Sequence, residues 1–381
     1  VRREEIGRLK VKNRLLKEAT HKIYEQRKHL DINEKVYCRH ERVDGGEFVE
    51  IWFMTGGCNH DKDGGCTMCN YGKGHMVDEN EILYLIEKEL IKLTPPLKQL
   101  VISPTGSMFD DTEVSPDFRN KIFGLVEKYN CEKFITETRA DTITKDKLRR
   151  MKDIIQDKVI AVELGLESSS EFVLKNCVNK NMMPEEFIRA VNVIKEEGIL
   201  VTANVSLGVP FLDEKRQLED AKKTVRWALD IGVNTVVVFP LHIKPGTLLS
   251  YLYKENLYDC VSLWSLVEIL KDVDETERSK VQISWYKNYY NNEGKIIKSP
   301  TTCELCRPKV IDLLDRYKDE CNTVVVKELG RLECGCKKDY FHRMQVLETK
   351  DTKNHLLNCY TIIAKDFNID HEILNEAIKE L

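Results

Sequence analysis

The sequence predicts an α/β fold built from parallel βα units, with a cysteine-bearing loop at the carboxyl end of its first strand. Six apolar strand-like runs stand at 48–54, 99–104, 133–137, 159–164, 200–207 and 235–241. Helical patterns at 80–93, 116–129, 145–155, 184–197 and 215–231 separate them, as crossovers between parallel strands do. The runs are nearly continuous in Val and Ile, which fits strands covered on both faces. An open doubly wound sheet and a barrel both satisfy the pattern. In either, chemistry collects at the carboxyl ends of the strands.

Composition narrows the class. With 381 residues, 42% hydrophobic and 32% charged, the chain reads as a soluble globular protein with one large domain and a smaller appendage. It has no apolar run of about 18 residues, so no membrane span is expected. Its opening Val-Arg-Arg-Glu-Glu lacks the apolar core of a signal peptide. Thirteen cysteines read as metal ligands and core thiols rather than disulfides, hence a reducing, cytoplasmic setting.

The net charge of −4 excludes a surface coated for nucleic acid, yet the balance is uneven. Residues 1–30 carry ten basic against four acidic side chains. Ile6, Leu9, Leu15, Leu16, Ala19 and Ile23 recur there at helical spacing. The stretch reads as a basic amphipathic helix packed on the body, its polar face either solvated or set against a phosphate backbone.

A polar link over 31–46 leads to the first strand and then to Cys58, Cys66 and Cys69, spaced C-x7-C-x2-C on a glycine-rich loop. Three thiolates are one short of a closed tetrahedral zinc site or a saturated four-iron cluster. A cubane on three cysteines keeps one iron open for a ligand. The alternatives are a zinc loop completed by His60 or His75, and three unrelated thiols. Helix starts and stops follow familiar chemistry: Thr144 before Lys145, Pro184 with Glu185 and Glu186, and Gly198 and Gly232 at the ends.

The strand ends gather polar groups. After the second strand, Gly106 and Ser107 offer backbone groups to an amine or carboxylate, or form a plain turn. The third ends with Glu137, suited to ribose hydroxyls, and Arg139, suited to clamping a carboxylate. Glu163 and Glu167 on the fourth share a side by strand periodicity. Asn204 and Ser206 interrupt the apolar fifth strand.

Regular alternation breaks near residue 250. The stretch 251–271 reads helical, and an aromatic-rich segment around Trp285 follows. Cys303-x2-Cys306 and Cys334-x-Cys336 are separated by an expected helix at 308–317 and an expected strand at 323–326. Two such pairs signal a closed four-thiolate site, for zinc, for an auxiliary iron–sulfur cluster, or as unligated thiols. Two short helices are expected from 351 to the last residue.

These landmarks resemble the radical S-adenosylmethionine (SAM) superfamily, in the branch of the Elongator catalytic subunit and coproporphyrinogen dehydrogenase. Glu-Thr-Arg-x-Asp, Glu-Leu-Gly-x-Glu-Ser, Gly-Val-Pro and Pro-x5-Gly-Thr-x-Leu occur in order. Within that branch, Gly-Gly-Cys-Thr-Met-Cys-x-Tyr and the cysteine tail are similar to the archaeosine-synthesis radical SAM lyase family.

The resemblance implies a partial (β/α)6 TIM-type barrel over 47–270, an N-terminal basic helix and linker over 1–46, and a small cysteine-rich domain over 271–381. It implies that Cys58, Cys66 and Cys69 ligate a [4Fe–4S] cluster whose open iron chelates SAM. Met68 would face the adenine, Gly106 and Ser107 the methionine amine, and Glu137, Glu167 and Asn204 the ribose or methionine. Arg139 joins this SAM-binding set. Lys180 stands near a position where relatives carry arginine.

A 5′-deoxyadenosyl radical would then act on a lysine-bearing deazaguanine in tRNA, breaking a carbon–nitrogen bond. Implied partners are tRNA, an electron donor such as flavodoxin or ferredoxin, and an enzyme supplying the substrate. The alternatives are a radical SAM enzyme for a small molecule or peptide, and a zinc-bound adaptor without catalysis.

Overall fold

Eight strands join one sheet in unbroken chain order, which fits a barrel and not a doubly wound sheet, whose strand order reverses. The computed structural model describes residues 13–27, 34–43, 45–72, 77–289, 295–346 and 352–381. Arg2, Arg3, Arg8, Lys10, Lys12, Lys28 and His75 lie outside the described residues.

The six expected strands are β2 (Gly46–Phe53), β3 (Leu97–Pro104), β4 (Cys131–Thr138), β5 (Val159–Glu167), β6 (Leu200–Leu207) and β7 (Thr235–Pro240). All pair in parallel. Their helices are capped as the sequence suggests. Ser115 accepts from the Phe118 amide ahead of Pro116, Thr144 from Lys147 and Asp213 from Arg216. Alternation then divides each strand. On β6, Val201, Ala203, Val205 and Leu207 enter the hydrophobic core, while Thr202 and Asn204 face the concave side.

Three expectations are corrected. The supposed polar link contains β1 (Val36–Val43), antiparallel to β2. Its charged residues disguise it because they are buried in ion pairs: Arg39 with Glu50 and Glu41, and Glu41 with Lys318. At the other edge, β8 (Val281–Ile283) is too short to show a pattern. The run at 323–326 is helical, the start of Thr323–Arg331. Asn322 caps it by accepting from the Val325 amide, and Val325, Val326 and Leu329 are buried on one face. Burial on that face overrides the β-branched preference for strand.

The span 251–271 is two helices, Leu248–Lys254 and Leu263–Asp272, separated around Asn256 at φ 57°. The helix expected at 308–317 runs Arg307–Glu320. Tyr286 and Lys318 are buried between the first and last strands, where Arg39 stacks over Tyr289 at 4.3 Å.

The described part of the N-terminal helix, α1 (Arg14–Arg27), packs through Leu15, Leu16, Ala19 and Ile23 into a cluster with Tyr360 and Ile363. These last belong to α2 (Thr352–Asp366), which is followed by α3 (His371–Lys379). The basic residues of α1 turn toward the protein. Lys22 Nζ donates to the Phe367 and Asn368 carbonyls at 2.6 and 3.1 Å. Arg14 meets Glu376 at 3.3 Å, and Lys17 meets Asp63 at 2.9 Å. No described helix is long and apolar enough to cross a membrane.

Candidate active site

The concave face of the sheet encloses a cavity of about 480 Å³ lined by residues from all eight strands. Cys58, Cys66 and Cys69 line its mouth, and Met68, Gly106, Glu137, Arg139, Glu167, Lys180 and Asn204 also line the cavity. Of the residues expected to bind SAM, Ser107 alone does not reach it. It is fully buried behind the wall, its amide donating to Glu113 at 2.7 Å.

The cysteine loop is pinned from several sides. Buried Arg27, at the end of α1, donates from Nε to the Gly72 carbonyl at 2.9 Å. Its other nitrogens reach the Cys69 carbonyl at 3.2 Å, the Gly246 carbonyl at 2.6 Å and the buried Asp61 carboxylate. Thr67 donates from its amide to Val178 and from its hydroxyl to Cys177, both at 2.9 Å. Asn179 donates to the Gly64 and Gly65 carbonyls at 3.0 and 2.9 Å. Gly64 itself has φ 79°, and a Cβ there would lie 2.2 Å from the Lys17 carbonyl oxygen.

Burial pushes all three thiols up, Cys69 to about 12. His60, the proposed completion of a zinc loop, directs Nε2 to the Asn179 carbonyl at 2.8 Å. Among the described residues these groups do not gather within 4.8 Å of one another, as single-ion ligands would.

Glu113, which the sequence reading missed, ties the second-strand loop to the first. Its buried carboxylate accepts from the Asn59 amide at 2.9 Å, the Ser107 amide at 2.7 Å and Arg139 at 2.5 Å. A Cβ on Gly106 would come within 2.2 Å of it, so any side chain there would have to displace that carboxylate from its donors. Arg139 also bonds Asp110 at 2.6 Å and Asp141 at 3.1 Å, and approaches Cys58 Sγ at 3.5 Å. Its fork, expected to clamp a ligand carboxylate, is occupied by the protein's own acids.

Deeper in, Glu137 and Glu163 are register partners on β4 and β5. Burial and then Glu163 push Glu137 well up. Burial carries Glu163 to about 7 against a stabilising hydrogen bond from Asn204. Glu167 sits on a β-bulge at φ 67° and accepts from Lys180 at 2.9 Å and Ser206 at 2.5 Å. Burial opposes the Lys180 ammonium, but Glu167 and Cys66 outweigh it and hold the pKa above its ordinary value. Inward-facing Glu50 and Lys133 were also missed, although charges at inward phase on parallel strands are a readable signal.

A second cluster lies away from the mouth. Cys303, Cys306, Cys334 and Cys336 place their sulfurs within 4.8 Å of one another. The contacts Cys303–Cys334, Cys303–Cys306, Cys306–Cys336 and Cys334–Cys336 measure 3.4, 3.5, 3.5 and 3.6 Å. Trp264 Nε1 donates to Cys336 Sγ at 3.3 Å.

Residues 52–228 match the model of the radical SAM superfamily. The archaeosine synthase subunit beta of Methanosarcina acetivorans is 26% identical over 308 residues, 80% of this chain and 86% of that protein. Its counterpart in Thermococcus kodakarensis is 30% identical over 232 residues, 59% of this chain and 71% of that protein. Among solved structures, Elp3 of Methanocaldococcus infernus aligns with a TM-score of 0.46 at 17% identity, covering 68% of this chain and 61% of that one.

Proposed function

The chain belongs to the radical SAM superfamily, and from that premise we propose that it modifies tRNA, breaking a carbon–nitrogen bond in a lysine-bearing deazaguanine to leave archaeosine. The observation that carries the reading is the convergence of Cys58, Cys66 and Cys69 on one mouth in a chain similar to two archaeosine synthase beta subunits. Three thiolates on one loop suit a [4Fe–4S] cluster with one iron left open to a ligand. When bound, that group supplies the electron that splits SAM into methionine and a 5′-deoxyadenosyl radical.

The chain's own residues bind, orient and shield. Lys180, fixed by Glu167, offers an ammonium beside Cys66 to the methionine carboxylate. Glu137 and Asn204 are assigned to ribose and methionine, the Met68 backbone to adenine, and Gly106 to the methionine amine. Ser107, Glu113 and Arg139 hold the wall behind them. The cavity keeps water and stray hydrogen donors from the radical.

The distal cysteines are assigned one structural zinc. A tetrahedral ion with bonds of about 2.3 Å sets its sulfurs roughly 3.8 Å apart. The separations of 3.4–3.6 Å come close to that. In this reading the barrel covers 47–270 and the zinc-bound unit 271–381, with 1–46 ahead of them. Flavodoxin or ferredoxin supplies electrons, and a partner enzyme supplies the lysine-bearing tRNA.

A second reading, a small-molecule or peptide substrate, draws support from the net charge of −4 and from the bonds that Lys22 and Arg27 make to the protein's own carbonyls. Anaerobic incubation with SAM, reductant and either lysine-bearing tRNA or free small molecules separates the two. Release of 5′-deoxyadenosine is expected to rise with the tRNA, and archaeosine to appear in its nucleosides. A rise with small molecules alone would overturn the tRNA assignment.

A further inference from the structure

We infer that Glu163, deep in the barrel, anchors a protonated amine of the substrate. The inference rests on the radical SAM reading and is independent of whether that amine is borne on tRNA or on a free amino acid.

Charged side chains on the buried concave face are costly unless they are paired. Most of those present have partners. Arg39 pairs with Glu50 and Glu41, Lys318 with Glu41, and Lys180 with Glu167. Glu137 and Glu163 differ: they stand side by side on neighbouring strands, and among the described residues no ion pair engages either carboxylate. Two adjacent buried carboxylates repel each other, and an arriving cation relieves that repulsion.

Glu137 is nearer the SAM side by assignment, which leaves Glu163 for the substrate. It lies four residues back along β5 from Glu167, level with Glu137 on β4 and within reach of Asn204. Lys133 faces the same space and eases the ionisation of Glu163, so an amino-acid head, with its ammonium and carboxylate, matches the pair. The groups facing Glu163 are Asn204, Glu50, Lys133, Arg39 and Glu137.

The test uses the full chain, reconstituted anaerobically, with free L-lysine, hexanoate and tRNA carrying the lysine-bearing deazaguanine. Binding and substrate-stimulated 5′-deoxyadenosine release are both measured. An amine-bearing probe is expected to engage the wild type while hexanoate does not. The Glu163→Gln variant should raise KM or Kd for that probe by roughly thirtyfold or more, with Glu163→Asp recovering part of the loss.

Burial beside Glu137 raises the Glu163 carboxyl, so amine affinity should fall as the pH is lowered and the pair protonates, and that dependence should weaken in Glu163→Gln. A simple packing role would not produce that pH profile. Equal affinity in Glu163→Gln, an unaltered profile, or hexanoate binding as well as the amines would overturn the inference. So would the failure of both amine probes to bind. Absence of 5′-deoxyadenosine from every sample would sink the radical reading instead, and the binding titration would still decide the anchor. Whether lysine or the tRNA is the tighter ligand distinguishes the two sources.

Discussion

Arg27 and Asp61 are the pair from which the cysteine loop hangs. Arg27 spends its fork on three carbonyls and one carboxylate, a geometry that lysine cannot reproduce. Replacing it by Met leaves Asp61 buried without its counter-charge, at a cost of about 3–5 kcal/mol. The expected outcome is a lower melting temperature and less iron per chain after reconstitution, with Arg27→Lys rescuing neither. Unchanged iron loading would show that the loop is held by other contacts. Gly106→Ala is expected to push Glu113 off its donors, costing about 1–3 kcal/mol and weakening SAM binding in an equilibrium titration. The cysteines and Gly106 were legible because spacing and residue type expose them. Glu113, Asn179 and Asp61 were not, since each acts on backbone or side chains that only folding brings near. Asn179 and Gly64 are 115 positions apart.

At the scale of elements, the described part of α1 acts as a brace, where the sequence left its polar face either solvated or set against a phosphate backbone. Its basic count is visible in the chain, but the partners of Arg14 and Lys22 on α2, α3 and the turn between them are far away in sequence. Lys22 closes the carboxyl end of α2, so Lys22→Ala should lower the melting temperature, by about 1 kcal/mol of stability. The salt dependence of tRNA binding should not change. A flatter salt slope would restore Lys22 as a phosphate contact. The distal cysteines make a separate unit. Cys306→Ser is expected to abolish zinc by elemental analysis and lower the melting temperature, while leaving iron at the mouth intact. It should also alter the fluorescence of Trp264, whose indole touches Cys336. Zinc retained in that variant would refute the site. Here the sequence told more than it did for β1, because cysteine pairs keep their signature whatever surrounds them. The charged side chains of β1 look like loop until Glu50 and Lys318 are seen beside them.

For the whole molecule, six βα units follow from alternation alone, whereas the choice of barrel over open sheet required the strand order. The cavity was less accessible still, because its interior charges acquire meaning only through register, as Glu137 beside Glu163 does. The resulting enzyme has one mouth framed by three thiols, a polar shaft below it and a thiolate cluster set apart. Its central claim is that Cys58, Cys66 and Cys69 hold the cluster that cleaves SAM. The most direct measurement compares the wild type with a variant in which all three are Ala, both reconstituted anaerobically and incubated with SAM and reductant. Iron, zinc and 5′-deoxyadenosine are quantified in each. The wild type is expected to hold about four irons and one zinc per chain and to release 5′-deoxyadenosine. The variant is expected to keep the zinc, lose the iron and release none. A variant that still bound iron and produced 5′-deoxyadenosine would contradict the account.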